Sequence, residues 1–481
     1  MIQFLLNQTL ITEQALDPGT TVLNYLRQNR RRCGTKEGCA SGDCGACTVT
    51  LGSVEAGKMV YETVNSCITF VSSLQGKQLL TVEDLRQGNE LHEVQKALAG
   101  CHASQCGFCT PGFVMSLFTL QKNSDGWQRK AAEQALAGNL CRCTGYRPII
   151  DAARQVCEQP KPDVFAQREA QTVEKLLAIQ NREEQELALN GNRCLLPKSL
   201  DRLAELLLTF PEAKLLAGGT DLALQVTQNH KALPLVIALD GVETLKACRE
   251  EEQTIVLGAG ASLQACARLL QPHIPVFSQV LERFASLQIR NRGTLGGNIA
   301  NGSPIGDTPP MLLALNATLT LQRGEQTRTL PLDAFFLGYR QTALQPGEFI
   351  RSITLPKLTA SQHFRAWKVS KRLEDDISAV FGAFMLDRAA DGTVTRARIA
   401  FGGMAATPKR ATHCEHALTG KPLTQSSLAL ACLALEQDFT PLSDFRASAS
   451  YRLQVAKNLL RRYHASFTEE LTLLEVTDYV Q

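Results

Sequence analysis

Cys39, Cys44 and Cys47 stand in C-x4-C-x2-C spacing, and Cys67 lies farther along. This is the spacing of a plant-type [2Fe–2S] loop. Two irons bridged by two sulfides need four thiolates converging within a few ångströms. A tight loop can supply three, and a neighbouring element the fourth. Such a loop must curl with its N–H groups toward sulfur, which gives Gly38, Gly42 and Gly45 a purpose: glycine permits the backbone angles and the close approach. The competing readings are zinc and buried structural thiols. Zinc sites favour paired C-x2-C units, whereas this loop has three cysteines and a wider first gap.

A second set, Cys106, Cys109, Cys141 and Cys143, lies in a helical stretch. The first pair precedes Thr110-Pro111, a helix start with Thr as cap and Pro at the first helical position. The second pair follows AAEQALAGNL. Two helix termini meeting there would bring four thiolates round one centre, and a helix N-terminus favours thiolate charge. By spacing alone zinc stays open here. The C-x-C pair, unusual for a zinc ribbon, and the neighbouring first set favour a second iron–sulfur centre.

The chain has 16 cysteines, eleven of them before residue 158. The N-terminus, Met1-Ile2-Gln3-Phe4-Leu5-Leu6-Asn7, lacks the basic flank and long apolar core of an export signal. A cytoplasmic, reducing setting is therefore expected, with thiols for metal rather than disulfides. Cys33, Cys101 and Cys157 are left over as packed or partly exposed free thiols.

Two stretches suit a phosphate-bearing cofactor. Ala217-Gly218-Gly219-Thr220-Asp221-Leu222 follows a strand; alone it is weak, because paired glycines there are often just a turn. The run from Gly293 to Asp307 is stronger. Its glycines let the backbone approach a diphosphate, Thr294, Asn298, Asn301 and Ser303 offer donors, and Asp307 can hold a ribose hydroxyl. Gly258-Ala259-Gly260-Ala261-Ser262-Leu263 imitates a dinucleotide fingerprint, but Leu263 stands where the third glycine belongs, so no Rossmann site is expected.

The elements that must position these residues follow from pattern. A hairpin is predicted at 2–7 and 9–12, a Thr-capped helix at 20–28, and strands at 48–52 and 77–84. Helical spacing then yields four short helices up to residue 156. Residues 158–190, very polar, read as a linker with a solvated helical piece, or equally as a surface helix of the next domain. Strands at 214–217 and 235–238 alternate with a helix at 199–209. Strands FGAFML and ARIAFGG and a helix at 446–462 end the chain.

A length of 481 residues suggests three or four domains. Apolar residues make up 44% and charged residues 20%, values of a globular protein. A net charge of +3 speaks against nucleic acid as partner. No run of apolar residues is long enough to span a membrane.

TKEGCASGDCGAC, QCGFCTPGF, GNLCRCTGYRPI, AGGTD, GTLGGNIANGSPIGD and the run Arg372 to Ile377 occur in an order that resembles the molybdenum hydroxylases. The resemblance is to the small, iron–sulfur/FAD subunit of their bacterial xanthine dehydrogenase branch and covers nearly the whole chain. It implies a multidomain α+β protein. The expected parts are a β-grasp 2Fe-2S ferredoxin domain (1–86), a four-helix 2Fe-2S domain (87–157), a linker (158–190), a vanillyl-alcohol-oxidase-type FAD domain (191–358) and a C-terminal α/β flavoprotein domain (359–481).

Carried over residue by residue, the resemblance implies that Cys39, Cys44, Cys47 and Cys67 hold the cluster nearer the flavin. Cys106, Cys109, Cys141 and Cys143 hold the one nearer molybdenum, and Gln105 reaches the molybdopterin of a partner chain. Leu216 to Asp221, with Thr294, Gly297, Asn298, Asn301 and Asp307, bind FAD. Phe284 packs on the adenine, and Lys368 lies in the flavin site. Asp221 stands where relatives have Glu. Tyr339 and the acidic loop with Glu374 and Asp375 line the NAD side; their bland readings are a core tyrosine and a solvated charge run.

No general acid–base catalysis of hydroxylation is expected on this chain, whose end at residue 481 leaves the molybdenum domain to a large partner subunit in a dimer of heterodimers. The activity implied is NAD-dependent oxidation of hypoxanthine and xanthine to urate. The alternatives are an aldehyde or another N-heterocycle as substrate and, in a different class, a zinc-stabilised adaptor without redox chemistry.

Overall fold

The computed structural model describes residues 1–158, 161–180 and 183–467. The chain divides into two compact units. The first comprises Met1–Leu245, Ser262–Gln264 and Ala285–Thr294; the second comprises Lys246–Ala261, Ala265–Phe284 and the chain from Leu295 on. The stretch expected as one FAD domain, 191–358, is thus shared between the two units.

The first unit begins with a five-stranded sheet in the order Thr9–Glu13, Ile2–Leu6, Gln78–Leu80, Thr48–Glu55, Lys58–Asn65. The N-terminal hairpin is antiparallel, and its first strand runs parallel to Gln78–Leu80, as a β-grasp fold requires. Thr21 caps the helix that crosses this sheet by accepting from Asn24 N–H at 3.2 Å. Phe4, Tyr25, Val49 and Phe70 fill the space between them.

Four helices follow: Glu93–Gly100, Thr110–Lys122, Arg129–Leu136 and Arg147–Glu158. Thr110–Lys122 is the central one. It buries Phe113, Val114, Leu117 and Phe118, each contributing about 1.5–3 kcal/mol of apolar burial. Its cap differs from the expected one: Cys109 holds the cap position, and Thr110 is the first helical residue. Cys141 and Cys143 lie between two helices, Arg129–Leu136 and Arg147–Glu158, rather than at a helix terminus.

The segment expected as a solvated linker is structured and packs back on the ferredoxin sheet. Helix Glu169–Ala178 buries Thr172 and Leu176. Gln8 donates to Thr172 Oγ1 at 2.9 Å, and Met59 N–H donates to Glu169 at 3.0 Å. Only a narrow stripe of the helix faces the sheet, so its composition reads as polar. The strand Gln185–Leu189 also begins inside this segment. Residues 159, 160, 181 and 182 of it, and 468–481 of the expected C-terminal domain, lie outside the described residues. The unit closes with a four-stranded sheet, Gln185–Leu189, Asn192–Leu196, Leu235–Ala238, Lys214–Leu216.

In the second unit an antiparallel sheet orders Cys248–Glu250, Thr254–Gly258, Phe349–Pro356, Thr318–Arg323 and Gln326–Pro331. A second antiparallel sheet holds Gln362–Val369, Val380–Arg388, Val394–Gly402 and Lys409–Arg410. Helices Thr412–Leu418, Gln425–Asp438 and Ala449–Ala465 share its core. Ser448 caps the last, so the helix starts three residues after the predicted 446. Among the described residues no helix is long and apolar enough to cross a membrane.

Candidate iron–sulfur and flavin sites

The four cysteines of the first set meet at one edge of the ferredoxin sheet. Cys47 and Cys67 are buried, and their sulfurs lie 3.3 Å apart. Cys39 and Cys44 are half-buried and hydrogen-bonded to each other. Ser41, Asp43 and Cys44 aim their N–H groups at Cys39 Sγ from 3.3–3.4 Å. The side chain of Cys44 bonds to Cys39, as does that of Cys67; these contacts hold the Cys39 thiol well below its ordinary range and push its two partners up.

Gly42 and Gly45 have φ of +86° and +68°. Gly38 is needed for space: a Cβ there would sit 2.7 Å from Cys44 Sγ. Asn65, which sequence reasoning missed, braces the loop by donating to Gly42 C=O at 2.8 Å.

The second set is more open. Cys106 and Cys143 are exposed, Cys109 and Cys141 half-buried. The side chains pair as Cys106 with Cys143 and Cys109 with Cys141. Burial and the contact with Cys141 push the Cys109 thiol up to about 12. Burial acts upward on Cys141 too, but hydrogen bonds from Thr144, Cys143 and Cys109 outweigh it and bring that thiol down to about 7. Gln105, also exposed, donates to Cys143 C=O at 3.1 Å.

Among the described residues no group of three or more His, Cys, Asp or Glu side chains is arranged to hold a metal ion. The thiols gather by side-chain contact instead, as two pairs in the second set and as a linked four in the first. Two irons, each taking two thiolates, suit the pairs of the second set; in the first, four converging thiols and the main-chain donors round Cys39 suit a negatively charged cluster.

The two cysteine loops touch through main chain. Leu140 N–H donates to Cys44 C=O at 3.0 Å, and Asn139 Nδ2 donates to Gly45 C=O at 3.0 Å. A Cβ at Gly45 would meet Gly138 C=O at 2.1 Å, and one at Gly112 would meet Gly45 C=O at 2.2 Å. Gln288 locks the joint from below, its side-chain amide donating to Thr48, Ser116 and Asn139.

The first glycine pair of the flavin stretches is in the same unit. A Cβ on Gly218 would lie 1.7 Å from Arg292 C=O, and Gly219, at φ +80°, packs on Ile68 C=O. Ile68 follows Cys67 in the chain. Gln228, just beyond the helix that Asp221 caps, donates to the carbonyls of Cys39 and Ala40 at 3.1 and 3.0 Å. Leu216 is buried and Asp221 exposed. Thr294 is also in this unit.

The remaining flavin residues are in the second unit. Lys368 and Asp307 form a buried ion pair at 2.8 Å, and Ser378 donates to the other Asp307 oxygen at 2.5 Å. Both carboxylate oxygens therefore have protein partners. Lys368 Nζ stands 5.9 Å from the centre of the Phe284 ring. Asn298 accepts from Thr308 at 2.6 Å. Gly297 is exposed, and Asn301 half-buried. Amides beside clustered glycines, with hydroxyl and amide side chains, form a donor set suited to a diphosphate. The rejected fingerprint serves as packing floor: Ala259 and Ala261 accept the N–H groups of Gly296 and Leu295.

Tyr339 is exposed at the tip of a hairpin, under the Arg340 guanidinium. Glu374 and Asp375 are half-buried. Asp376 organises their loop, accepting N–H groups from Lys371, Arg372 and Ile377.

Four family models match. A 2Fe-2S iron–sulfur cluster binding domain covers residues 4–72, and a [2Fe-2S] binding domain 81–154. A FAD binding domain in molybdopterin dehydrogenase covers 187–358, and a CO dehydrogenase flavoprotein C-terminal domain 365–467. The xanthine dehydrogenase/oxidase of Gallus gallus is 32% identical over 91% of this chain; the match covers 38% of that protein's length.

Two solved structures resemble the fold. A carbon monoxide dehydrogenase from Hydrogenophaga pseudoflava, lacking the Mo-pyranopterin moiety of its cofactor, is 31% identical with a TM-score of 0.53. Quinoline 2-oxidoreductase from Pseudomonas putida 86 is 25% identical with a TM-score of 0.52. Each match covers 56% of this chain and 94% of the matched one.

Proposed function

Because the chain belongs to the molybdenum hydroxylase family, we propose that it carries electrons from a molybdopterin-binding partner subunit to FAD and then to NAD⁺, in the oxidation of hypoxanthine and xanthine to urate. The cysteine quartets would hold two [2Fe–2S] clusters, which would supply one-electron transfer, and the flavin stretches would hold FAD, which would supply two-electron hydride chemistry. The protein's part is to hold the stations in order and set the surroundings of each.

One observation carries the reading. The Cys141 loop touches Cys44 through the Leu140 amide, and the first cysteine loop touches the Gly219 turn through Ile68 and Gln228. The three stations thus adjoin in the sequence second quartet, first quartet, flavin loop. The exposed Cys106, Cys143 and Gln105 make the second quartet the entry side. For FAD, the first unit would offer Leu216 to Asp221 and Thr294, and the second would offer Gly297, Asn298 and Asn301. Phe284 would pack on the adenine. Lys368, fixed by Asp307, would present its charge without moving. Tyr339, Glu374 and Asp375 would line the nucleotide acceptor's side. The work is placed in the cytoplasm, in a dimer of heterodimers.

The test is metal and redox analysis. The expected result is about four irons and four labile sulfides per chain, bound FAD, and fast reoxidation of the reduced complex by NAD⁺. Stoichiometric zinc without visible absorption would sink the reading in favour of a non-redox adaptor. Reoxidation by oxygen or a ferredoxin but not NAD⁺ would remove the acceptor assignment only.

A second substrate reading rests on the likeness to quinoline 2-oxidoreductase: the same electron path serving another N-heterocycle, or an aldehyde. Substrate turnover with the co-purifying large chain separates the two.

A further inference from the structure

Thr144 follows the Cys141–Cys143 pair and has no role in the reading above. Its hydroxyl donates to Cys141 Sγ at 3.2 Å. The same oxygen accepts the N–H of Tyr146, also at 3.2 Å. With Tyr146 donating to one lone pair of the oxygen, and a ligating thiolate having no proton to give, the hydroxyl's own hydrogen is turned to sulfur. Tyr146 is held in turn. Its φ is +70°, and its phenol oxygen accepts the Cys141 N–H at 2.9 Å. Residues 141–146 therefore form a closed clasp that turns the Thr144 hydroxyl hydrogen toward Cys141 sulfur.

The N–H groups of Cys143 and Thr144 reach the same sulfur at 3.4 Å. The first quartet differs in this detail. Hydroxyls stand near its sulfurs as well, but Ser41 donates to Asp43 Oδ2 at 2.5 Å and Ser66 to Cys47 C=O at 2.7 Å. Three main-chain donors reach Cys39 sulfur, from Ser41, Asp43 and Cys44, and no side-chain substitution removes them; the Ser41 side chain adds a weaker contact.

We propose that Thr144 is a redox-tuning residue: acting through Cys141, its oriented hydroxyl stabilises the more negative, reduced state of the second site and raises that site's reduction potential. The inference rests on the iron–sulfur reading. Uptake of one electron by the bound cluster would reduce one of its ferric irons to ferrous and leave the cluster, with its thiolates, one charge more negative. No bond breaks, and the hydroxyl keeps its proton; its dipole alone does the work. Hydrogen bonds to charged acceptors are the strong ones, and donors to cluster sulfur are an established lever on potential.

The experiment is a reductive titration of the purified complex with dithionite, followed by EPR, for wild type, Thr144→Val and Thr144→Ser. Val keeps the shape and removes the hydroxyl. The expected result is a fall of about tenfold in the reduced-to-oxidised ratio of one signal at fixed ambient potential, about 59 mV for a one-electron couple. The other signal should stay put, and Ser should restore the wild-type midpoint. Unchanged midpoints, or an equal shift in both signals, would overturn the proposal.

If the Val variant loses iron, wild-type protein exchanged into D2O serves instead. A strongly coupled exchangeable hydrogen should appear at the second site by ENDOR and persist in Thr144→Ser; its absence would overturn the proposal equally. A wild type without two iron–sulfur signals would instead sink the underlying reading.

Discussion

The two cysteine quartets face opposite problems. The first is enclosed: Cys47 and Cys67 are almost wholly buried, and glycines stand where any side chain would collide. The second is open: Cys106 and Cys143 are exposed, and a Cβ on Gly107 would meet nothing within 4 Å. Enclosure lets main-chain amides do the tuning and ties the site to the core. Openness leaves room for a partner, and the local environment must then be built from side chains such as Thr144 and Tyr146.

This contrast can be broken in four ways. The largest effect is expected at Gly45. Gly45→Ala puts a methyl group 2.1 Å from Gly138 C=O and should cost more than about 3 kcal/mol, with iron lost from both sites. Gly107→Ala, strained only by its φ of +82°, should cost about 1–2 kcal/mol. Chemical denaturation with iron analysis measures both, and equal losses would mean that the first loop is no tighter than the second.

Next in size, Cys67→Ser and Cys143→Ser should each erase one EPR signal. In metal-free protein only the buried Cys67→Ser should also lower stability, by about 1–3 kcal/mol, while Cys143→Ser stays within about 0.5 kcal/mol of wild type. Calorimetry of the metal-free variants decides this. Third, alkylation of metal-free native protein, read by mass spectrometry, should label Cys106 and Cys143 at least about tenfold faster than Cys47 and Cys67, since the reagent needs access to the thiolate. Comparable labelling would show both sites open. The smallest effect is expected for Ser41→Ala: its hydroxyl donates to Asp43, so the first site's midpoint should move by less than about threefold in the reduced-to-oxidised ratio. A tenfold shift would erase the distinction drawn from Thr144.

Much of this contrast was legible in the sequence. The spacing of Cys39, Cys44 and Cys47 implied a loop, and Gly38, Gly42 and Gly45 behave as that loop needs. The hairpin at 2–13, the four helices and the strands FGAFML and ARIAFGG follow from apolar period. Residues 158–190 left two readings open, a linker with a solvated helix or a surface helix; the helix is there, Glu169–Ala178, and what its polar composition hid is the burial of Thr172 and Leu176. Asn65, Gln228 and Gln288 were hidden because each acts on a residue distant in sequence. Thr144 was closer to view: a hydroxyl beside a ligand pair is a local signal, but only three-dimensional contact with Tyr146 tells where its hydrogen goes. For Asp307, composition suggested a ribose ligand, while the fold gives both of its oxygens to Lys368 and Ser378.

The bond from Leu140 N–H to Cys44 C=O acts as a gauge block. It fixes the gap between the quartets with backbone atoms alone, one peptide unit from Cys141. Repacking the surrounding hydrophobic core would leave that gap as it is. The absent methyl groups of Gly45 and Gly112 let the chains close to that distance and the amides of Asn139 and Gln288 brace it, so on the proposed path the spacing of the two stations would depend on residues that carry no redox chemistry.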